Sequence, residues 1–177
     1  MDKTLTLDEV YNLALTRLME AGASETNAAS VARSTWRAER DGIRSHGLMY
    51  VPIYAEHVSC GKVVGDAVPV LSHPKPGSVS VDAKNGFAHP AIDAGWQEFT
   101  DAARTNGVAT LTLHNSYNCG ILGHHAERIA EEGLLGLCFT HAPASVAPVG
   151  GKKPVVGTNP FALATPDGKG GASMVID

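Results

Sequence analysis

Apolar residues recur at helical spacing through the first third of the chain. Thr6 precedes an acidic first turn and Ser24 precedes the second apolar stretch, so both are predicted N-caps. Pro52 falls near the start of the third stretch, where a missing N–H costs little. The pattern therefore predicts three helices, over residues 7–21, 25–41 and 48–60.

The pattern changes beyond residue 60. Residues 61–77 contain three prolines and are predicted to form a connector. Asn85–Gly86 then indicates a tight turn of the hairpin type after a short strand. Strand and helix patterns alternate further along, which is typical of an α/β layer with parallel pairing between the strands at 108–113 and 134–140. The predicted elements of this part are strands at 78–83, 108–113, 134–140, 161–165 and 172–176, helices at 89–105 and 120–132, and a hairpin turn at 166–171.

Composition and charge narrow the class of protein. Hydrophobic residues make up 44% and charged residues 18% of the 177 positions, which suits a packed core and excludes a disordered chain. The 14 Lys and Arg residues are scattered and the net charge is −4, so no nucleic-acid partner is expected. No apolar run approaches the roughly 20 residues of a membrane span. Residues 1–3 lead directly into the first helix without an export signal, which predicts a cytoplasmic protein with no membrane partner.

The end of the chain is abrupt. Asp177 directly follows the apolar run Met174–Ile176, with neither a closing helix nor a polar tail. We therefore expect a chain that is truncated at its C-terminus. We also expect two parts, a helical segment with its connector at 1–77 and an α/β part at 78–177 that is incomplete at its end.

Ser45-His46-Gly47 is the first candidate for chemistry, between two predicted helices and close to Asp41 and Arg44. A histidine in such a place can donate a proton to a carbonyl or imine and take it back, because its ordinary pKa lies near neutral pH. In the structural alternative, Ser45 caps the third helix and His46 is an ordinary surface histidine. Residue types alone favour the structural alternative.

Two further segments are candidates for ligand binding. The segment 115–120 follows a predicted strand, and ligands of α/β sheets gather at the C-terminal ends of strands. A turn with an N-cap explains the same residues, so both interpretations stay open. The segment 150–159 combines glycines with Lys152 and Lys153, which could approach a phosphate. Neither the glycine pattern of a Rossmann site nor that of a P-loop occurs, so a dinucleotide would be held in another way.

No metal site is predicted. His124 and His125 are adjacent and cannot share one helix face, and the spacing of a zinc protease motif is absent. The cysteines are odd in number and widely spaced, which fits neither a disulfide framework nor a zinc site. They are expected to be reduced thiols.

Several short motifs, taken in order, give the chain a family resemblance. It resembles the malate/L-lactate dehydrogenase family, which is distinct from the Rossmann-type enzymes of the same names and includes ureidoglycolate dehydrogenase, a diketogulonate reductase and cyclic ketimine reductases. The resemblance implies an α/β fold with a non-Rossmann nucleotide-binding layer, NAD or NADP as cofactor and a homodimer. The motifs are Asp41-Gly42, Ser45-His46-Gly47 with Pro52 and Tyr54 after it, Asn115-Ser116, Ala142-Pro143, Ala147-Pro148, Gly150-Gly151, Gly157-Thr158-Asn159-Pro160 and Ile176-Asp177.

The resemblance also implies a reaction. A small 2-oxo or cyclic 2-imino acid and its 2-hydroxy or 2-amino counterpart would be interconverted by hydride transfer, with His46 as proton donor and acceptor. Family members continue well past position 177 with further cofactor contacts, so weak or no nucleotide binding is expected of this chain alone. The implied substrate-binding residues are Ser45, Tyr50 and Asn118, and the implied cofactor-binding residues are His46, Ala142, Thr158, Asn159 and Asp177.

Two departures from the family pattern bear on the substrate. Many members have Arg where this chain has Tyr50, and that Arg can pair with a substrate carboxylate. Many have His where this chain has Asn118, which can form hydrogen bonds but cannot act as a general acid. Both changes leave room for a ketimine or another 2-oxo acid. The alternative function is a truncated or decayed member with only a structural or oligomerisation role.

Overall fold

The computed structural model describes residues 4–177, which form two compact units, residues 4–120 and Ile121–Asp177. Residues 1–3, on which the prediction of no export signal rests, lie outside this range. The expected boundary at 77–78 does not coincide with the boundary between the units, because strands on either side of it are paired with each other. The predicted α/β class is confirmed. No helix within residues 4–177 is both long and apolar enough to cross a membrane.

The first unit begins with helices whose N-termini are fixed by local hydrogen bonds. Thr6 and Glu9 form a capping box, in which the Glu9 N–H donates to the Thr6 hydroxyl at 3.2 Å and the Thr6 N–H donates to the Glu9 carboxylate at 2.8 Å. Ser24 caps the second helix in the same way that the sequence predicts. The helices are α1 (Leu7–Glu20), α2 (Glu25–Arg40) and α3 (Val51–Ser59).

The connector predicted at 61–77 contains a strand that the sequence did not reveal. It is β1 (Val70–Lys75), which pairs antiparallel with β2 (Ser78–Asp82). Pro74 lies inside β1, and proline is tolerated there because β1 is an edge strand whose register shifts between Ser72 and Lys75. The three prolines therefore led to the prediction of a connector where the structure has a strand.

The parallel pair of the chain lies in this first sheet. β2 pairs parallel with β3 (Thr110–His114), and α4 (Ala88–Asn106) provides the crossover between them. The turn predicted at Asn85–Gly86 exists, since the Gly86 N–H donates to the Ala83 carbonyl at 2.8 Å. It leads into α4 and not into a hairpin, because both edges of β2 are already paired.

The second unit is an antiparallel sheet with one helix. Its elements are α5 (Leu122–Glu131), β4 (Gly136–Phe139), β5 (Phe161–Pro166) and β6 (Ala172–Ile176), in the sheet order β4-β5-β6. The parallel pairing expected between the strands at 108–113 and 134–140 is wrong, because β3 and β4 belong to different sheets and β4 pairs antiparallel with β5. The hairpin predicted at 166–171 is confirmed.

Gly95 lets α4 pack closely on the first sheet. A Cβ atom at this position would lie 2.8 Å from Leu111 Cδ1 and 2.9 Å from Val81 Cγ2. Gly95→Ala gains helix propensity of about 1 kcal/mol but overpacks the interface by about 1–3 kcal/mol. We expect a net loss in the free energy of unfolding, measured by urea denaturation.

The neighbouring exposed helical residue provides the control. Ala94→Gly is expected to cost about 1 kcal/mol through helix propensity alone. If Gly95→Ala instead stabilises the protein by as much as Ala94→Gly destabilises it, the close packing of α4 on β2 and β3 is contradicted.

Candidate active site

The Ser45-His46-Gly47 segment lies in a tight, non-α-helical stretch. Arg44–His46 and Leu48–Tyr50 are short 3₁₀ turns, and α3 begins only at Val51. The helix predicted from residue 48 therefore starts three residues later, after backbone bonds that close i to i+3 turns. The Ser45 hydroxyl lies 3.0 Å from His46 Nδ1 and caps no helix, so the capping interpretation of Ser45 is wrong.

Glu39, in the last turn of α2, holds this stretch in place. The Leu48 N–H donates to Glu39 Oε1 at 2.8 Å. Gly47 is buried against the same carboxylate, and a Cβ atom there would lie 2.1 Å from Oε1. The glycine of the motif is thus required by the approach of Glu39. No local spacing rule connects positions 39 and 48, so the sequence could not reveal this contact.

Aromatic rings join His46 to the core of the first unit. The His46 and Tyr50 rings are stacked with centroids 6.4 Å apart, and Tyr50 meets the edge of Tyr54 at 4.8 Å. Tyr54 is 2% exposed and also packs against Phe87 and Tyr117 at 5.7 Å and 6.0 Å. Edge-to-face contacts of this kind stabilise beyond their buried area. His46, Tyr50 and Tyr54 are called the aromatic row below.

Asn118 is attached to the end of the aromatic row. Its Oδ1 accepts hydrogen bonds from the Tyr54 hydroxyl at 3.3 Å and from the Gly120 N–H at 2.6 Å. Burial, with smaller contributions from Tyr50 and Tyr117, raises the pKa of Tyr54 well above its ordinary range. The phenol therefore stays neutral and keeps its proton for donation. Tyr54 thus connects three residues that the sequence analysis selected, namely His46, Tyr50 and Asn118. The sequence analysis assigned Tyr54 itself no role in the site.

Tyr117 and His57 extend the same group of side chains. The Lys62 ammonium can only donate, so His57 Nε2, 3.3 Å away, accepts, and His57 Nδ1 donates to the Tyr117 hydroxyl. Burial, followed by the neighbouring Tyr50 phenol, raises the pKa of Tyr117 to about 12. These residues support the Tyr54 ring.

Asn115 has a structural role. It takes a positive φ of 49°, and its side-chain amide donates to Asp82 Oδ1 at 3.1 Å. Asp82 also accepts from the Lys84 N–H at 2.9 Å, and the Lys84 ammonium lies 3.0 Å from its other oxygen. The hydrogen bond from Lys84 N–H, with further contributions from the Lys84 and Asn115 side chains, holds the pKa of Asp82 well below its ordinary range. Asp82 thus joins the ends of β2 and β3 where the Asn118 segment begins.

In the second unit, Asn159 organises the other group of candidate residues. It has a positive φ of 42°, and its Oδ1 accepts a hydrogen bond from the Ala142 N–H at 2.9 Å. Gly157 lies so close that a Cβ atom there would be 2.2 Å from the Ala142 carbonyl oxygen. Thr158 is exposed between them. Asp177 lies apart from this loop and accepts from the Gly123 N–H, in the first turn of α5, at 2.9 Å.

No group of three or more His, Cys, Asp or Glu residues within 4–177 is arranged to hold a metal ion.

The family model described as malate/L-lactate dehydrogenase matches residues 5–177. The chain belongs to this family. The predicted membership is thus confirmed over nearly the whole chain.

Similar proteins are named as dehydrogenases and reductases. The chain is 40% identical to (2R)-3-sulfolactate dehydrogenase (NADP(+)) of Chromohalobacter salexigens, with 100% of this chain and 53% of the relative covered. It is 40% identical to delta(1)-pyrroline-2-carboxylate reductase of Ancylobacter novellus, with 98% and 50% covered. Among solved structures, delta1-piperideine-2-carboxylate reductase of Pseudomonas syringae matches with a TM-score of 0.93 and 35% identity over 99% of this chain and 53% of that chain. The chain spans about half the length of the curated relatives it matches.

Replacing Gly47 by alanine tests the contact with Glu39. Gly47→Ala must displace the Glu39 carboxylate from the Leu48 N–H, which leaves a half-buried donor without its partner and costs about 1–3 kcal/mol. In a Glu39→Ala background the same substitution meets no carboxylate and should cost less. A coupling free energy of about 0.5 kcal/mol or more is expected from urea denaturation of the four proteins, and additivity would contradict the contact.

The lowered pKa of Asp82 predicts a pH-dependent stability. A carboxyl group whose pKa is lower in the folded protein stabilises it above the ordinary value of about 4, and this contribution decreases as the pH falls toward the lowered pKa. Asp82→Asn removes it. The difference in urea midpoint between the wild type and Asp82→Asn should therefore be larger at pH 7 than at pH 2.5. An unchanged difference across this range would show that the charge of Asp82 does not matter.

Proposed function

We propose that the protein is an NAD(P)-dependent oxidoreductase of small 2-oxo or cyclic 2-imino acids and their 2-hydroxy or 2-amino counterparts. Family membership and the names of the relatives support this, since sulfolactate is a 2-hydroxy acid and pyrroline-2-carboxylate is a cyclic 2-imino acid. The observation that carries the proposal is the half-buried His46 ring. Ser45 is its hydrogen-bond partner at Nδ1, and the residues described between 4 and 177 include no hydrogen-bond partner for Nε2.

His46 acts as the proton donor in the reducing direction. In the protonated ring Nδ1–H donates to the Ser45 hydroxyl, and the proton on Nε2 is transferred to the substrate oxygen or nitrogen. In the oxidising direction the neutral Nε2 takes that proton back. The stacked Tyr50 ring fixes the orientation of the imidazole.

Tyr50, Ser45 and Asn118 form the substrate side of the site. Tyr50 stands where an arginine would pair with a carboxylate, so the substrate acid is recognised here by neutral hydrogen-bonding groups. The half-buried Tyr50 ring offers an apolar surface suited to the ring of a cyclic imino acid. This favours a cyclic imino acid over malate as the substrate.

The second unit would hold the dinucleotide. An anionic ligand is suited to its loop, because Asn159 and Gly157 keep the Ala142 segment compact while Thr158, Lys152 and Lys153 are exposed. Ala142, Thr158, Asn159 and Asp177 are assigned to nucleotide binding, and His46 to the nicotinamide side. When bound, the nicotinamide supplies the hydride to carbon 2 of the substrate. The homodimer and the cytoplasmic location stay predictions.

Oxidation of NADH and NADPH with a panel of 2-oxo acids and cyclic ketimines tests the proposal. Because general acid catalysis contributes about 10²–10⁴-fold, His46→Gln should lower kcat by that factor. His73→Gln, at an exposed histidine of β1, is the matched control and should keep the wild-type rate.

Equal turnover of His46→Gln and the wild type would remove His46 from the mechanism. No turnover by a folded wild-type chain with any member of the panel would reject the proposed activity for this chain and favour a structural role.

A further inference from the structure

The orientation of the Asn118 side chain is determined by its partners. The backbone N–H of Gly120 can only donate, so the Asn118 atom 2.6 Å away must be the carbonyl oxygen Oδ1. The Tyr54 hydroxyl, 3.3 Å from the same oxygen, is then also a donor. Two donors from the protein therefore fix which end of the amide faces the core.

The other end of the amide is available to a ligand. Within residues 4–177 the structure contains no hydrogen-bond acceptor for Asn118 Nδ2, and the residue is only half-buried. The nitrogen carries two N–H donors and no acceptor. The Nδ2 end of Asn118 can therefore donate hydrogen bonds to a ligand but cannot accept them.

Tyr54 is suited to keeping this orientation. Its ring is enclosed by Tyr50, Phe87 and Tyr117, so its hydroxyl cannot swing away from Asn118. Burial keeps the hydroxyl protonated across the ordinary pH range, because it raises the pKa of Tyr54. Without this donor, Asn118 would be held by the Gly120 N–H alone.

We propose that Tyr54 and the Gly120 N–H orient Asn118 so that its Nδ2 donates to a carboxylate oxygen of the substrate. The inference rests on the proposed function and names the recognition of the acid group. The carboxylate is assigned because the proposed function places the reacting oxygen or nitrogen of the substrate at His46, which leaves the acid group for Asn118. Tyr54 is a positioning residue, and Asn118 selects a hydrogen-bond acceptor at this place.

Calorimetric titration with two planar ligands tests the polarity of the site. Pyrrole-2-carboxylate resembles a cyclic imino acid and cannot be reduced, and pyrrole-2-carboxamide replaces one carboxylate oxygen by an NH₂ donor. Both are titrated with and without saturating NADPH. Asn118→Asp keeps an oxygen for the Gly120 N–H and the Tyr54 hydroxyl but exchanges the donor end for an acceptor.

The wild type should prefer the carboxylate, and Asn118→Asp should lose about tenfold to hundredfold in affinity for it while gaining affinity for the carboxamide. Tyr54→Phe should weaken carboxylate binding by about threefold to tenfold and raise KM more than it lowers kcat. Tyr11→Phe, at a half-buried tyrosine of α1 that packs against the cluster of Ala14, Ala32 and Val51, is the control and should bind as the wild type does.

Three results would overturn the inference while the proposed function stands. The first is an unchanged preference for the carboxylate in Asn118→Asp, and the second is wild-type affinity in Tyr54→Phe. If the folded wild type turns over its substrate but does not bind the carboxylate better than the carboxamide, recognition by Asn118 is likewise rejected. If it neither binds a ligand nor turns over a substrate, the proposed function fails together with the inference.

Discussion

The enclosure of Tyr54 is the constraint on which the first group of site residues depends. Its ring packs against Phe87 and Tyr117 inside the first unit, its edge contact with Tyr50 leads to His46, and its hydroxyl holds Asn118. Two segments far apart in sequence are thus attached to one buried side chain. Glu39 adds a second attachment by binding the backbone immediately after Gly47.

Local rules explain the parts of the fold that the sequence predicted well. Helices α1 and α2 follow from Thr6 and Ser24 as N-caps and from apolar spacing, and the last hairpin follows from its turn residues. The predictions that were wrong concern elements whose structure depends on contacts between residues far apart in sequence. Pro74 reads as a loop signal until β1 is known to be an edge strand, and the partner of β4 depends on where β5 returns.

In the candidate site, too, local motifs were predictable and non-local contacts were not. Motifs pointed to His46 and Asn159, whose residue types occur in the family pattern, and to Asn118, which stands where many members have His. The motifs could not reveal that Asn159 binds the Ala142 N–H or that Asn118 turns its oxygen inward, since both contacts depend on the folded backbone. Tyr54 has the spacing of an ordinary core residue, and only its hydroxyl contact distinguishes it.

We propose that residues 4–120 recognise the acid and that Ile121–Asp177 recognises the nucleotide. Amide NMR spectra of the chain, titrated to millimolar concentration with pyrrole-2-carboxylate or with NADPH, test it directly. We expect the carboxylate to shift signals at 44–50 and 115–120, NADPH to shift signals at 141–160, and both ligands to shift the signal of His46. NADPH shifts spread through residues 4–120 beyond the neighbours of His46, carboxylate shifts within Ile121–Asp177, or no localised shifts by either ligand would contradict this assignment.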